Sequence, residues 1–352
     1  MTLAVRSKKE IKEHRIIQAL MQLPLGPLLR VFRQKPIIVD NQTLHSEMQM
    51  ILLLRKLKKS PGMGDRPPEV SRKYLLRDAR VHGITVARDI HTEDFEIPTS
   101  EGHSVKARLY QLDKSAKTTQ PLLVFLHGGG FVLGDLETYD HVCRFICNQA
   151  DVSILSVDYR LAPEHPFPHG LNDSIAAYRW AIANADRLNA DPKRFAVGGD
   201  SAGANFATQI AQITTDEGKD RPIYQWLIYP TTDRSKAYPS ATLFADGFFL
   251  RTKDVHYFTD HYQTPSKHDV RVSPIKGQLS GLPQALIVTA GFDPLRDEGE
   301  AYARALESAG SKVELVRFPG MIHGFMNLIG ISPAARKNLS QATKYLKDAM
   351  HA

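Results

Sequence analysis

"VGGDSAGANFA", residues 197–207, is the stretch on which the fold turns. The apolar run before it, "RFAVGGD", reads as a short strand. The residues after it, "SAGANFATQIAQITTDEG", carry apolar side chains at three- and four-residue spacing, as an amphipathic helix does. Between them, Gly199-Asp200-Ser201-Ala202-Gly203 fits the pattern G-x-S-x-G. A serine on so sharp a strand-to-helix turn is pushed out above the sheet, and the flanking glycines permit the tight backbone. It also stands at a helix start, where the positive end of the helix favours developing negative charge.

A serine in this position becomes a nucleophile only with a base to take its proton and an acid to orient that base. The order Ser, Asp or Glu, His along the chain goes with this kind of turn. After Ser201 the histidines are His256, His261, His268, His323 and His351. The first three fall in a strand-to-strand insertion and the last in the C-terminal tail. His323, in "FPGMIHGF", follows a strand and precedes a glycine, so it is the candidate base. For the acid, "VTAGFDPLRDEGE" offers Asp293, Asp297, Glu298 and Glu300. Asp293 comes first after the strand, and Pro294 biases it away from helical geometry, onto the loop. Asp297 and Glu298 open the next helix, where acids are stabilising.

Upstream, "PLLVFLHGGGFVLGD" (121–135) ends a buried strand in three consecutive glycines. A phosphate loop needs Gly-Lys-Ser/Thr at its end, but Gly130 is followed by Phe131 and Gly134 by Asp135. A dinucleotide fingerprint needs glycines at positions one, three and six, and the sixth position from Gly128 is Leu133. Asp158, where a ribose-binding acid would stand, therefore has no loop to serve. An anion hole for a tetrahedral intermediate remains. Backbone N–H groups of Gly129, Gly130 and Ala202 are the expected donors, with Gly128 supporting the turn. Each such donor is typically worth ~2.7–4 kcal/mol in the transition state.

Short β-rich runs, "LLVFLH", "VSILSVDYR", "RFAVGGD", "YQWLIYP", "QALIVTAG" and "KVELVRFP", alternate with helical stretches. Several are apolar throughout, as strands buried on both faces are. The pattern predicts an α/β fold with a mostly parallel sheet between helices, and an antiparallel pair at its start, "ITVARDIHTEDFEIP" and "HSVKARLYQL". Function in such sheets gathers beyond the carboxyl ends of the strands. Residues 1–80 are helical and basic, with a breaker cluster "SPGMGDRPP". Residues 231–265 are an aromatic-rich insertion. Both are expected to form one helical cap, over a core of 81–230 and 266–352.

No apolar run approaches a bilayer span, and the charged N-terminus is no signal peptide, so a cytoplasmic location is expected. Cys143 and Cys147, one helical turn apart, fit packing on a buried helix face in a reducing compartment. Residues 1–35 carry eight basic side chains against Glu10 and Glu13, so most of the net charge of +7 sits there. No nucleic-acid-binding motif accompanies it. The leucines among those bases leave open a contact with an anionic membrane surface, against the plainer reading of a solvated helix face.

Together, "HGGGF", "DYRLAPEHPFP", "GDSAG", "DPLRDEG" and "HGF", in this order, resemble the hormone-sensitive lipase-like branch of the α/β-hydrolases, specifically its bacterial esterases. "YPTTD" followed by "ADGFFL" is similar to the family's cap region. The resemblance covers roughly residues 84–350 and is weaker before residue 80. It implies an α/β-hydrolase fold, with an eight-stranded, mostly parallel sheet and a helical cap. It also implies hydrolysis of short- to medium-chain carboxylic esters, without metal or cofactor, by Ser201, Asp293 and His323. Phe131, Asp200 and Phe248 are expected at the substrate pocket. An amidase or formamidase using the same triad, a non-catalytic binding protein on the same scaffold, and a homodimer stay open.

Overall fold

The computed structural model describes residues 6–86, 89–112 and 118–352. The N-terminal region holds four helices, α1 (Lys8–Met21), α2 (Leu25–Val31), α3 (Ser46–Leu57) and α4 (Pro68–His82). A hairpin of β1 (Ile38–Val39) and β2 (Gln42–Thr43) lies between α2 and α3. Its turn residues Asp40 and Asn41 both take left-handed backbone, which short polar side chains tolerate. From there β3 (His91–Pro98), β4 (Ser104–Gln111) and β5 (Gln120–Leu126) lead into α5 (Leu136–Ala150), β6 (Ser153–Asp158), α6 (His169–Ala183), β7 (Ala190–Asp200) and α7 (Ala202–Asp216). Then follow β8 (Tyr224–Ile228), α8 (Pro239–Leu243), α9 (Thr252–Tyr262), β9 (Gln284–Phe292), α10 (Arg296–Ser308), β10 (Val313–Ile322) and α11 (Pro333–Met350).

The last eight strands form one sheet in the order β10-β9-β8-β7-β5-β6-β4-β3. Only β4 runs against its neighbours β3 and β6; the other pairings are parallel. The expected early pair is thus present. Its first strand starts at His91, later than the sequence pattern suggests, and residues 87–88 of that stretch lie outside the described residues.

The continuous apolar runs follow from helices on both faces. Along β5, Leu123 and Phe125 join a core with α5, α11 and the N-terminal helices. Leu122, Val124 and Leu126 join the opposite core with α6, α7 and α10. Neither face meets water, so the period-two alternation loses its polar half. Cys143 and Cys147 form no disulfide and are buried on α5 against the sheet, Cys147 Sγ donating to Tyr110 O at 3.6 Å.

Between β8 and β9 no further strand of the sheet interrupts residues 229–283, a longer excursion than the expected 231–265. Its helix α9 docks on the segment between α3 and α4. Asp254, fully buried, accepts from Arg251 Nε at 2.8 Å and Nη2 at 2.6 Å, and from the Gly64 N–H at 2.8 Å. Arg251 also pairs with Asp65 at 2.9 Å, and the Tyr257 hydroxyl donates to Arg66 O at 3.0 Å. Two chain segments almost 200 residues apart are therefore clamped by one buried carboxylate.

Removing one partner of a buried pair leaves the other charge uncompensated, at about 3–5 kcal/mol. Asp254→Ala should therefore release the 58–66 segment and make Lys58 and Lys59 susceptible to trypsin. Limited proteolysis read by mass spectrometry checks this, and a cleavage pattern equal to wild type would refute the clamp.

Candidate active site

Ser201 ends β7 and caps α7 with φ 53° and ψ −117°, a backbone that L-residues rarely adopt. Its N–H donates to Ile228 O of β8 at 2.9 Å, and its carbonyl accepts from Asn205 N–H at 3.2 Å. Gly203 makes the turn sterically feasible: a Cβ there would stand 1.9 Å from Leu126 O of β5. The strand-to-helix junction read from "GDSAG" is thus held by hydrogen bonds to β8 and close packing on β5.

His323 follows β10 and Asp293 follows β9, so both reach the same carboxyl edge as Ser201. His323 Nε2 lies 3.0 Å from Ser201 Oγ, and His323 Nδ1 lies 2.7 Å from Asp293 Oδ2. The other carboxylate oxygen of Asp293 accepts the Leu295 N–H at 2.9 Å, which fixes the acid's orientation. All three side chains are buried. With Nδ1 donating to Asp293, Nε2 is left to accept the serine proton. His256 and His261 are on α9, and His351 donates toward carbonyls of Ala150 and Asp151, away from this relay.

The glycine loop after β5 lies opposite. Gly129, Gly130 and Phe131 take positive φ in succession (122°, 64° and 66°). A Cβ on Gly130 would fall 2.2 Å from the Phe258 ring, so the position excludes a side chain. The Gly129 carbonyl accepts from Val132 and Leu133, closing the turn. The N–H groups of Gly129 and Gly130 donate to no acceptor among the described residues. The first amides of α7, that of Ala202 included, lack intrahelical partners by geometry.

Asp200 lies under this loop and does not line the cavity at Ser201. One carboxylate oxygen accepts the Gly128 N–H at 2.7 Å; the other accepts the hydroxyls of Tyr139 (3.1 Å) and Tyr229 (3.2 Å). Burial pushes its carboxyl up to about 6, against the opposing pull of those donors and of His323. The last residue of β7, Asp200, is drawn away from the cavity by the donors of Gly128, Tyr139 and Tyr229. Tyr229, which the motif search passed over, also lays its ring 4.5 Å from that of His323. Its place directly after β8 at the carboxyl edge is the signal that could have found it.

The cavity at Ser201 is small, about 50 Å³. Phe131 lines it, with Met63 from the N-terminal region and Leu250, Val255, Phe258 and Leu295 from beyond β8. Phe248 does not line it; its ring packs between Phe244 and Phe292, at 5.5 and 5.2 Å. The cavity wall comes from two remote segments brought together by the Asp254 clamp, which no local pattern encodes.

A Ser-His-Asp relay at the carboxyl edge of a largely parallel sheet, facing a loop with free amides, defines an α/β-hydrolase. Residues 123–327 match the family described as having the alpha/beta hydrolase fold. The carboxylic ester hydrolase LipN of Mycobacterium tuberculosis is 42% identical over 320 residues, covering 86% of this chain and 83% of its own length. The ethyl acetate hydrolase of Pseudomonas putida is 37% identical, over 79% of this chain and 89% of its own. The crystal structure of EstE1, a thermostable carboxylesterase from a metagenomic library, superposes with a TM-score of 0.77 at 37% identity, covering 81% and 98% of the two chains. The chain belongs to this α/β-hydrolase family, in the esterase branch that its motifs resemble.

If Asp200 holds the glycine loop, Asp200→Ala should lower kcat by about 10–100-fold, as a displaced donor does, while Asp200→Asn keeps an acceptor for Gly128 and most of the activity. The raised carboxyl also has a stability consequence. Between pH 4 and 6 the unfolded aspartate ionises while the folded one resists, so wild-type stability is lost as pH rises through this window. Urea titrations should therefore find Asp200→Asn more stable than wild type above pH 6, by up to about 3 kcal/mol, with the gap closing below pH 4. A gap independent of pH would contradict the shift.

Proposed function

We propose that this carboxylic ester hydrolase works through an acyl-enzyme on Ser201. The observation that carries the reading is the continuous relay from Ser201 Oγ through His323 to Asp293, at 3.0 and 2.7 Å. His323 Nε2 takes the serine proton as Oγ attacks the ester carbonyl. Asp293 holds the Nδ1 proton and stabilises the imidazolium. The carbonyl oxygen becomes an oxyanion and is met by the N–H groups of Gly129, Gly130 and Ala202. Collapse expels the alcohol, which leaves with the proton from Nε2. Water then gives its proton to the same nitrogen, attacks the acyl group, and the acid departs as Ser201 is restored.

The volume of about 50 Å³ and its apolar wall support short acyl chains. An ethyl acetate hydrolase among the relatives points the same way and favours esters over amides. The clamped N-terminal segment and α9 act in this reading as a cap that excludes water from the acyl-enzyme.

A second feature supports a location for the reaction. No helix among the described residues is long and apolar enough to cross a membrane. Yet Ile16, Leu23, Val31, Phe32 and Ile38 are exposed, Val31 by 77%. They stand among the exposed bases Lys8, Lys9, Lys12, Arg15, Arg30, Arg33 and Lys35. Apolar side chains fringed by cations suit the headgroup region of an anionic bilayer. In this reading the cap entrance sits at a lipid surface.

Ser201→Ala should reduce kcat on p-nitrophenyl acetate by about 10⁴–10⁶-fold and abolish labelling by a fluorophosphonate probe. A variant that keeps wild-type turnover refutes the acyl-enzyme. For the surface, α1 and α2 bury Ile17, Met21, Leu25 and Leu29 in the core, so substitution is the cleaner test than truncation. Wild type should co-sediment with vesicles containing phosphatidylglycerol and not with pure phosphatidylcholine. The double variant Val31→Ser, Phe32→Ser should bind the anionic vesicles less; equal partitioning of wild type between the two lipids dismisses the contact.

A further inference from the structure

Arg234 has no task in these steps, yet it belongs to the wall of the cavity at Ser201. Together with Thr231, Val255 and Leu295 it also bounds a second cavity of about 440 Å³. A guanidinium offers five N–H donors in a planar fork and stays charged. Here the one hydrogen bond it donates from the side chain is a long Nη2 contact with Val255 O, at 3.5 Å. No carboxylate among the described residues pairs with it; Glu298 and Asp260 act on it only from a distance. Glu298 is already engaged by the Thr232 N–H at 2.8 Å. Burial holds Arg234 below the usual arginine range, the mark of a cation with too little compensation.

A second polar group stands behind that wall, on the far side of Phe131. The Tyr262 hydroxyl is buried without a hydrogen-bond partner among the described residues, and the charge of Arg234 reaches it. Its ring stacks on Phe131 at 4.1 Å, which ties it to the cavity. A half-buried guanidinium with spare donors, in the wall of the cavity at Ser201, makes a site short of one anion.

We infer that Arg234 selects esters whose acyl arm ends in a carboxylate, the monoesters of dicarboxylic acids. The acyl arm is the one that fits. It stays on Ser201 through both chemical steps, whereas the alcohol leaves after the first. The inference rests on the esterase reading, since it assigns the substrate of the same serine.

The test compares p-nitrophenyl hydrogen glutarate with the neutral p-nitrophenyl pentanoate, in wild type and in Arg234→Met. Turnover of the neutral ester by wild type tests the esterase reading by itself. The ratio of kcat/KM values, hemiester over neutral ester, tests Arg234. That ratio should fall by about 10–100-fold in Arg234→Met, and Arg234→Lys should restore part of it, because charge returns without the fork. A ratio that moves less than about threefold overturns the inference. So does an Arg234 effect confined to acetate esters of hydroxy acids, whose carboxylate is on the alcohol arm. Should the variants fail to fold, wild type alone still decides: glutarate should inhibit pentanoate-ester cleavage at least about tenfold more strongly than pentanoate does, and equal inhibition overturns the inference.

Discussion

The left-handed backbone of Ser201 is the constraint on which the site depends. A residue at φ 53° and ψ −117° carries on the order of 1–3 kcal/mol of strain and persists only where its surroundings over-determine it. Here β8 holds its N–H through Ile228 O, the first turn of α7 holds its carbonyl through Asn205, and Gly203 lets the helix start press on Leu126 O. The sharp turn does two things at once. It lifts Oγ clear of the sheet toward His323, and it places the Ala202 N–H at the start of α7. If the turn relaxed, Oγ and this N–H would move together.

Asp200, the residue immediately before, extends that constraint to the other half of the site. Its carboxyl group binds the Gly128 N–H below the glycine loop and the hydroxyls of Tyr139 and Tyr229. Tyr229 in turn leans on the His323 ring. One buried acid thus ties the glycine loop to the tyrosine that packs on His323. A low-dielectric site makes this arrangement costly for a charged carboxylate and rigid once its donors are in place. Asp200 acts on positioning and touches no reacting atom. The same side chain would be redundant if the glycine loop were fixed by its own hydrogen bonds, but among the described residues those close only the segment after Gly129.

What could be read from the sequence follows a physical division. "GDSAG", "HGGGF", "DPLRDEG" and "HGF" each lie at a strand end, where a rigid sheet converts position along the chain into position in space. Order and spacing therefore suffice to bring Ser201, Asp293 and His323 together. The inward turn of Asp200 depends on donors from three other segments, Gly128, Tyr139 and Tyr229, which no local motif brings together. Phe248 was no more legible. Two consecutive phenylalanines on an irregular segment face different ways: Phe248 packs on Phe244 and Phe292, and Phe249, with positive φ, packs beside Gly324. The pocket wall is the least legible part. Met63 and Phe258 meet only because Asp254 captures both Arg251 and the Gly64 amide, a contact between segments that share no periodicity.

That division also separates what the site does from what it acts on. Ser201, Asp293 and His323 stand on strand ends and a helix start, braced by the sheet's own hydrogen bonds. Met63, Leu250, Val255 and Phe258, which line the cavity beside them, come from chain outside the sheet. Their placement is only as firm as the clamp between α9 and the segment before α4. A substitution in that clamp therefore changes the cavity wall without moving Oγ, Nε2 or the amides, so substrate choice can drift while the reaction stays fixed. Arg234 lies on the boundary between the two: its loop leaves β8 directly after Tyr229, and its backbone N–H is tied to Ser273 at 2.9 Å. Its backbone is anchored there, while its guanidinium is held by a single long contact with Val255 O and has donors to spare for a ligand.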